Sequence, residues 1–163
     1  MPTARGSRTI AASAEELWEV IRDPHHLPRW WPRVKRVEDV DGDAFTEVMA
    51  TAKGKLVRAD FRVVLLAEDA RRLTWEQRVQ GTPFAHVLKA AETEVLLTPV
   101  SAGATYPSET EDREDRVGSA TEVTIELRQT LNGFSARFGG FMVRRAAAAT
   151  IEGALDGLER ISG

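Results

Sequence analysis

SARFGGFMVRRAAAATIEGALDGLERI, residues 135–161, is the run on which the fold turns. Below its glycine pair, Ala147, Ile151, Ala154, Leu158 and Ile161 recur at spacings of four and three, and Ala148 and Leu155 widen the same stripe, which is the period of one helical face. Glu152, Asp156, Glu159 and Arg160 fall on the opposite side, so the helix is wet along one face and buried along the other. A continuous helix of this length is roughly 40 Å long at about 1.5 Å per residue, enough to cross a small domain, and its apolar stripe needs a surface to lie on. Upstream, Phe134, Phe138, Phe141 and Met142 are bulkier and lie on a different azimuth, with Gly139 and Gly140 among them as a place for the helix to bend or break. The bulky upper part reads as a candidate pocket wall and the alanine-rich lower part as the anchor.

The surface under that helix is a β-sheet. Val57, Ala59, Phe61, Val63 and Leu65 alternate with Arg58, Asp60 and Arg62, the period of two that sets an apolar face against a core and charges in water. Leu73, Trp75, Gln77 and Val79 repeat the pattern, as do Thr121, Val123, Ile125, Leu127, Gln129 and Leu131. Between them, His86 to Val100 reads as a longer, less regular strand. Earlier strands are expected at Val34 to Val40 and Phe45 to Thr51, joined at Asp41-Gly42 and followed by a turn at Lys53-Gly54-Lys55. One-faced alternation of this kind implies antiparallel pairing.

Arg8 to Ala12 reads as a first short strand, ending at Ser13-Ala-Glu-Glu16, a capping box that starts a helix at Ala14. Asp23-Pro24 stops that helix, because proline disfavours helical geometry in the residue before it. PHHLPRWWP, residues 24–32, holds Leu27, Trp30 and Trp31 among three prolines and suits a short second helix or lid. Adjacent helical residues diverge by about 100°, so one tryptophan is expected to plug the core and the other to form a rim. Residues 101–119 carry Glu109, Glu111, Asp112, Glu114 and Asp115 around Arg113 and Arg116, with little to bury, and read as a long acidic hairpin loop.

A chain of 163 residues without an internal linker fits a single domain over residues 1–163. The net charge of -3 argues against nucleic acid or an anionic membrane as partner. The absence of cysteine removes disulfides, thiolate nucleophiles and Cys-ligated zinc. Residues 1–7 lack the apolar core of a signal peptide and no run is long enough to insert in a membrane, so a cytoplasmic protein is expected, with oligomeric state open. No Ser/His/Asp order, phosphate-cradling loop or nucleotide fingerprint appears, and neither a cofactor nor a metal site is expected. His25 and His26 are adjacent, point apart, and lack an i, i+4 partner to complete a metal site.

The order of elements is one strand, two short helices, six strands and one long helix: an α+β chain with a curved seven-stranded antiparallel sheet wrapped around its last helix. On SAEELWEVIRDPHHLPRWWP, the strand pair TEVLLTPV and TEVTIELRQTL, and GGFMVRRAAAATIEGALDGLERI, the chain resembles the START-like (SRPBCC) superfamily of polyketide cyclase/dehydrase and lipid-transport proteins, the helix-grip fold. The resemblance covers nearly the whole chain and implies a cavity for a hydrophobic small molecule of lipid, polyketide or other polycyclic type. It implies ring closure or dehydration in some relatives and protein interaction in others, which resemble chaperone ATPase activators.

If that carries over, Phe61, Trp75, Gln77, Gln129, Phe138 and Met142 face the cavity, with Trp31 at its mouth. The default reading of each aromatic is core; for Phe61 and Trp75 core and cavity lining weigh about evenly, because the cavity is the upper end of the core. Gln77 and Gln129 fall by alternation on the apolar face, where an amide without a partner costs on the order of 1 to 3 kcal/mol. His86 is a candidate acid or base for the cavity, although local spacing sets no carboxylate or hydroxyl beside it and a surface residue at a strand start fits as well. A carrier of a hydrophobic molecule needs no catalytic group; a cyclase or dehydratase needs a titratable group inside the pocket, for which His86, Glu47 and Glu94 stand as candidates. Trp75→Ala is expected to cost about 3 to 5 kcal/mol in urea unfolding if Trp75 is core, visibly less if it lines an open cavity, and nothing if it is neither.

Overall fold

The computed structural model describes residues 3–100, 119–133, 137 and 139–162. Seven strands, β1 (Thr3–Ile10), β2 (Val34–Asp41), β3 (Ala44–Ala50), β4 (Leu56–Ala67), β5 (Arg72–Gln77), β6 (Leu88–Val100) and β7 (Ala120–Leu131), form one antiparallel sheet in the order β1-β7-β6-β5-β4-β3-β2. Two short helices, α1 (Ala14–Ile21) and α2 (Leu27–Trp30), follow β1, and α3 (Gly140–Ser162) closes the chain. Ser13 caps α1 by accepting from the Glu16 N–H, and α3 begins at the glycine pair, where a break is expected. The bulky run upstream of Gly139 and the acidic stretch 101–118 lie outside the described residues.

Several expected boundaries shift. β1 starts five residues earlier than its apolar content suggests, because its register is set by pairing with β7 from Thr3↔Arg128 to Ile10↔Thr121. β5 ends at Gln77, and Val79 packs instead with Leu88 and Leu131 in a second small cluster. A 3-10 turn at Pro83–His86 takes up the expected start of β6. In β4 the alternation holds only to Val63: a bulge between Val63 and Leu65 inserts Val64, so Leu65 pairs with Thr74 and is exposed. One extra residue moves every later side chain to the other face.

α3 lies over the β1 and β7 end of the sheet. Its buried residues are Ala147, Ile151, Ala154, Leu155, Gly157 and Leu158, so the stripe is as expected except that Ala148 is exposed, Ile161 is half-buried and Gly157 joins it. Arg8, on β1 beneath the helix, meets three carboxylates of the wet face: Glu152 at 2.8 Å, Asp156 at 2.5 Å and Glu159 at 3.3 Å.

The segment Trp30–Pro32 crosses α3 at its two glycines. A Cβ on Gly157 would stand 2.3 Å from the Trp30 carbonyl oxygen, and one on Gly153 would stand 2.6 Å from Pro32 Cγ. Backbone meets backbone there, which only glycine allows, and this close crossing holds the tryptophan pair in place. Gly157→Ala is therefore expected to cost about 3 kcal/mol or to displace α2, whereas Ala148→Lys on the exposed face of the same helix should stay within about 0.5 kcal/mol. Urea midpoints of the two variants check this.

Candidate functional site

Side-chain alternation along five neighbouring strands, together with the first turns of α3, builds a hollow on the inner face of the sheet. β3 sends in Glu47 and Met49; β4 and β5 send in Phe61 and Trp75; β6 and β7 send in Thr93, Leu127 and Gln129. Val143, Ala146, Ala147 and Thr150 of α3 form the opposite wall, and Trp31 closes the end toward α2. The resulting cavity is about 320 Å³, at the lower end of the range for small-molecule sites. Ala146 and Val87, both exposed, mark its rim. Two hollows of about 390 and 460 Å³ also occur along the sheet, but charged side chains such as Lys89, Glu92 and Arg128, or Asp60, Arg62 and Glu76, line them.

The aromatic walls are packed against one another. Trp31 meets Trp75 edge to face with centroids 5.5 Å apart and meets Trp30 likewise at 5.3 Å, while Phe45 stacks on Phe61 at 5.5 Å. Both tryptophans of the pair are buried, which corrects the expectation of one plug and one rim. The helix ends at Trp30, and Trp31 is extended (φ -86, ψ 128), so the helical divergence that separates neighbours does not apply. Trp31 is a buried wall of the cavity rather than its mouth.

Glu47 is the exception in this apolar setting. Its residue is 1% exposed, and its partners across the neighbouring strands are Val37 and Ala59. Among the described residues its carboxyl has no ion pair and no side-chain hydrogen bond. Burial alone pushes its pKa up to about 8. Glu94 presents the opposite case on the outer face. Burial acts to raise its pKa, but hydrogen bonds from Arg72 (2.9 Å) and Arg128 (3.4 Å) outweigh it and hold the carboxyl below its ordinary value.

Of the residues singled out in the sequence, Trp31, Phe61, Trp75 and Gln129 come together in the cavity. Gln77 points inward as alternation requires, yet it lies where β5 and β6 part, outside the cavity lining, and its Nε2 is buried without a partner. His86 is exposed at the end of the 3-10 turn and outside the lining, because the strand begins only at Leu88. Met142 is 73% exposed; a helix turns about 100° per residue, and the next position, Val143, faces the cavity in its place. Phe138 lies outside the described residues. His25 and His26 gather around Asp23 at the start of the 3-10 turn before α2. Glu47 acquires its importance from parity: it falls between Phe45 and Met49 in period two, and a carboxylate on an apolar face is the signal that marks it.

A curved antiparallel sheet gripping one long helix over an apolar cavity defines a START-like helix-grip domain. Residues 1–163 match the family model described as polyketide cyclase / dehydrase and lipid transport, and the chain belongs to that family. No curated protein matches it. Among solved structures it is similar to a START superfamily protein from Mycobacterium smegmatis (17% identity, 98% of this chain and 96% of that chain, TM-score 0.71). It is likewise similar to the protein XoxI from Bacillus cereus (16% identity, 99% and 96%, TM-score 0.70). The di-domain ARO/CYC BexL from the BE-7585A biosynthetic pathway is similar at 21% identity and TM-score 0.73, with 98% of this chain covering 46% of that one. These likenesses establish the fold.

The buried acid has a thermodynamic signature. The unfolded chain ionises Glu47 near its ordinary value of 4.5, while the folded chain holds the proton up to about 8. Between those values the folded state binds more protons, so stability falls as pH rises through the window and levels off above it. Glu47→Gln removes the proton and keeps the shape. The variant is expected to gain stability over the parent as pH rises from 4.5 to 8, by an amount on the order of 4 kcal/mol at ~1.4 kcal/mol per tenfold in proton affinity. Paired urea titrations across that range check the difference.

Proposed function

We propose that the protein binds a hydrophobic small molecule in the cavity between β3–β7 and the first turns of α3, with Glu47 and Gln129 as its polar contacts. The observation that carries this reading is the cavity itself: about 320 Å³, walled by Trp31, Trp75, Phe61, Leu127 and Val143, and open past Ala146. Burying apolar ligand surface there contributes roughly 25 cal/mol per Å², and few polar groups are needed to orient the guest. Membership of a polyketide cyclase / dehydrase and lipid transport family supports the same ligand class.

A second reading, a cyclase or dehydratase of polyketide-like substrates, is favoured by one observation: a carboxyl inside the cavity with a pKa near 8 can exchange a proton with a bound substrate near neutral pH. The reading as a protein-interaction module draws no comparable support, since it calls for a collapsed cavity.

Native mass spectrometry of freshly purified protein, followed by organic extraction, is expected to release an apolar adduct of low mass. Ala146→Trp places a large side chain at an exposed rim position. It should abolish the adduct while changing stability by less than about 1 kcal/mol. Retention of the adduct in this variant would place the molecule elsewhere.

A further inference from the structure

The cavity contains one ionisable group among its described lining residues, and that group is an acid. Among those described residues, no arginine, lysine or histidine lines it to neutralise an anion. Around Glu47 the described groups are apolar or uncharged from each element: Val37 and Ala59 pair with it on the adjoining strands, and Thr93, Gln129, Ala147 and Thr150 line the same cavity from β6, β7 and α3. The nearest charges on α3, Arg144 and Arg145, are exposed and outside the lining. A fatty-acid carboxylate or a phosphate in this space would itself be a buried anion with no cation among the described lining residues to offset it, at a cost that grows in a dry site.

A cation reverses that balance. Burial penalises Glu47 only while it lacks a counter-charge, and a protonated nitrogen supplies one. Three aromatic side chains, Trp31, Trp75 and Phe61, line the same cavity, and aromatic rings attract a cation lying over their faces most strongly when water is excluded. On these grounds, and building on the binding function proposed above, we infer that the cavity selects apolar molecules bearing a basic nitrogen, whose protonated form pairs with the Glu47 carboxylate. Near pH 7 the exchange balances as follows: the neutral Glu47 carboxyl loses its proton to solvent, the ligand keeps its N–H, and the ion pair forms inside. Each molecule bound releases about one proton, a step absent for a neutral guest. Affinity therefore rises with pH toward 8 and falls again once the free amine loses its own proton.

Three probes share one ring system and differ in charge: 2-naphthylmethylamine, 2-naphthylmethanol and 2-naphthoate. Isothermal titration calorimetry of the whole protein at pH 7, in phosphate and in Tris, reads affinity and proton release together. The amine is expected to bind at least about tenfold more tightly than the alcohol, as a charge-assisted contact exceeds a neutral one, and to release about one proton; the naphthoate should not bind measurably. In Glu47→Gln, and in Glu47→Leu as a second variant lacking any polar atom there, the amine should bind no more tightly than the alcohol, with thermal melts confirming that each variant folds. If the alcohol binds as tightly as the amine, or the amine keeps its advantage in both variants, the inference about the basic nitrogen is wrong and the binding site stands. If none of the three ring compounds binds, the reading of the cavity as a binding site falls with it.

Discussion

One helix cannot cover seven strands, and the architecture follows from that mismatch. Strands spaced about 4.8 Å apart make a sheet roughly 29 Å wide, whereas a helix with its side chains spans about 10 Å. α3 accordingly covers the β1 and β7 end of the sheet. The remaining inner face has to be covered by α1, by α2 and the tryptophans after it, and by curvature of the sheet toward the helix. Where those three sources of cover fail to meet, between the first turns of α3 and β3–β7, the cavity remains. Helix and sheet are locked at the other end by backbone-close crossing of Trp30 at Gly157 and by Arg8, which reaches Glu152, Asp156 and Glu159 from beneath.

Glu47 gives the cavity its chemical character. A domain of this size has net stability of roughly 5–15 kcal/mol, so a carboxyl whose burial costs on the order of 4 kcal/mol at neutral pH is a substantial fraction of the total. Glutamine of the same shape would avoid the cost. The acids of the outer face behave differently because they have partners: Glu92, Glu94 and Glu126 all gather on Arg128. What separates Glu47 from them is not its side chain but the lack of a partner cation among the described residues, and that asymmetry leaves a proton site inside an otherwise apolar hollow.

Much of this was legible in residue order. Alternation in β5 and β7 placed Trp75 and Gln129 on the inner face, the stripe from Ala147 to Leu158 oriented α3, and Glu47 stood only as one of three candidate acids or bases until its burial singled it out. The misplacements share a cause: each lies where a local irregularity shifts the phase of a period. The bulge at Val64 carried Leu65 outward, the 3-10 turn at Pro83–His86 put His86 in water, and the extended backbone at Trp31 let both tryptophans enter the core. Met142 fell one residue short of Val143, because a helix start fixes azimuth and the glycine pair fixes the start.

Hydrophobic period and capping chemistry by themselves determined the element order, the antiparallel sheet and the amphipathic last helix, since both act over a few residues and are written in neighbouring positions. Tertiary structure alone decided which of the inward side chains share one space, that Gly157 is a contact rather than a gap, and that Glu47 has no counter-ion among the described residues. Those are properties of segments separated by more than a hundred residues, and solvent exclusion and charge pairing depend on distance in space, which periodicity along the chain does not encode.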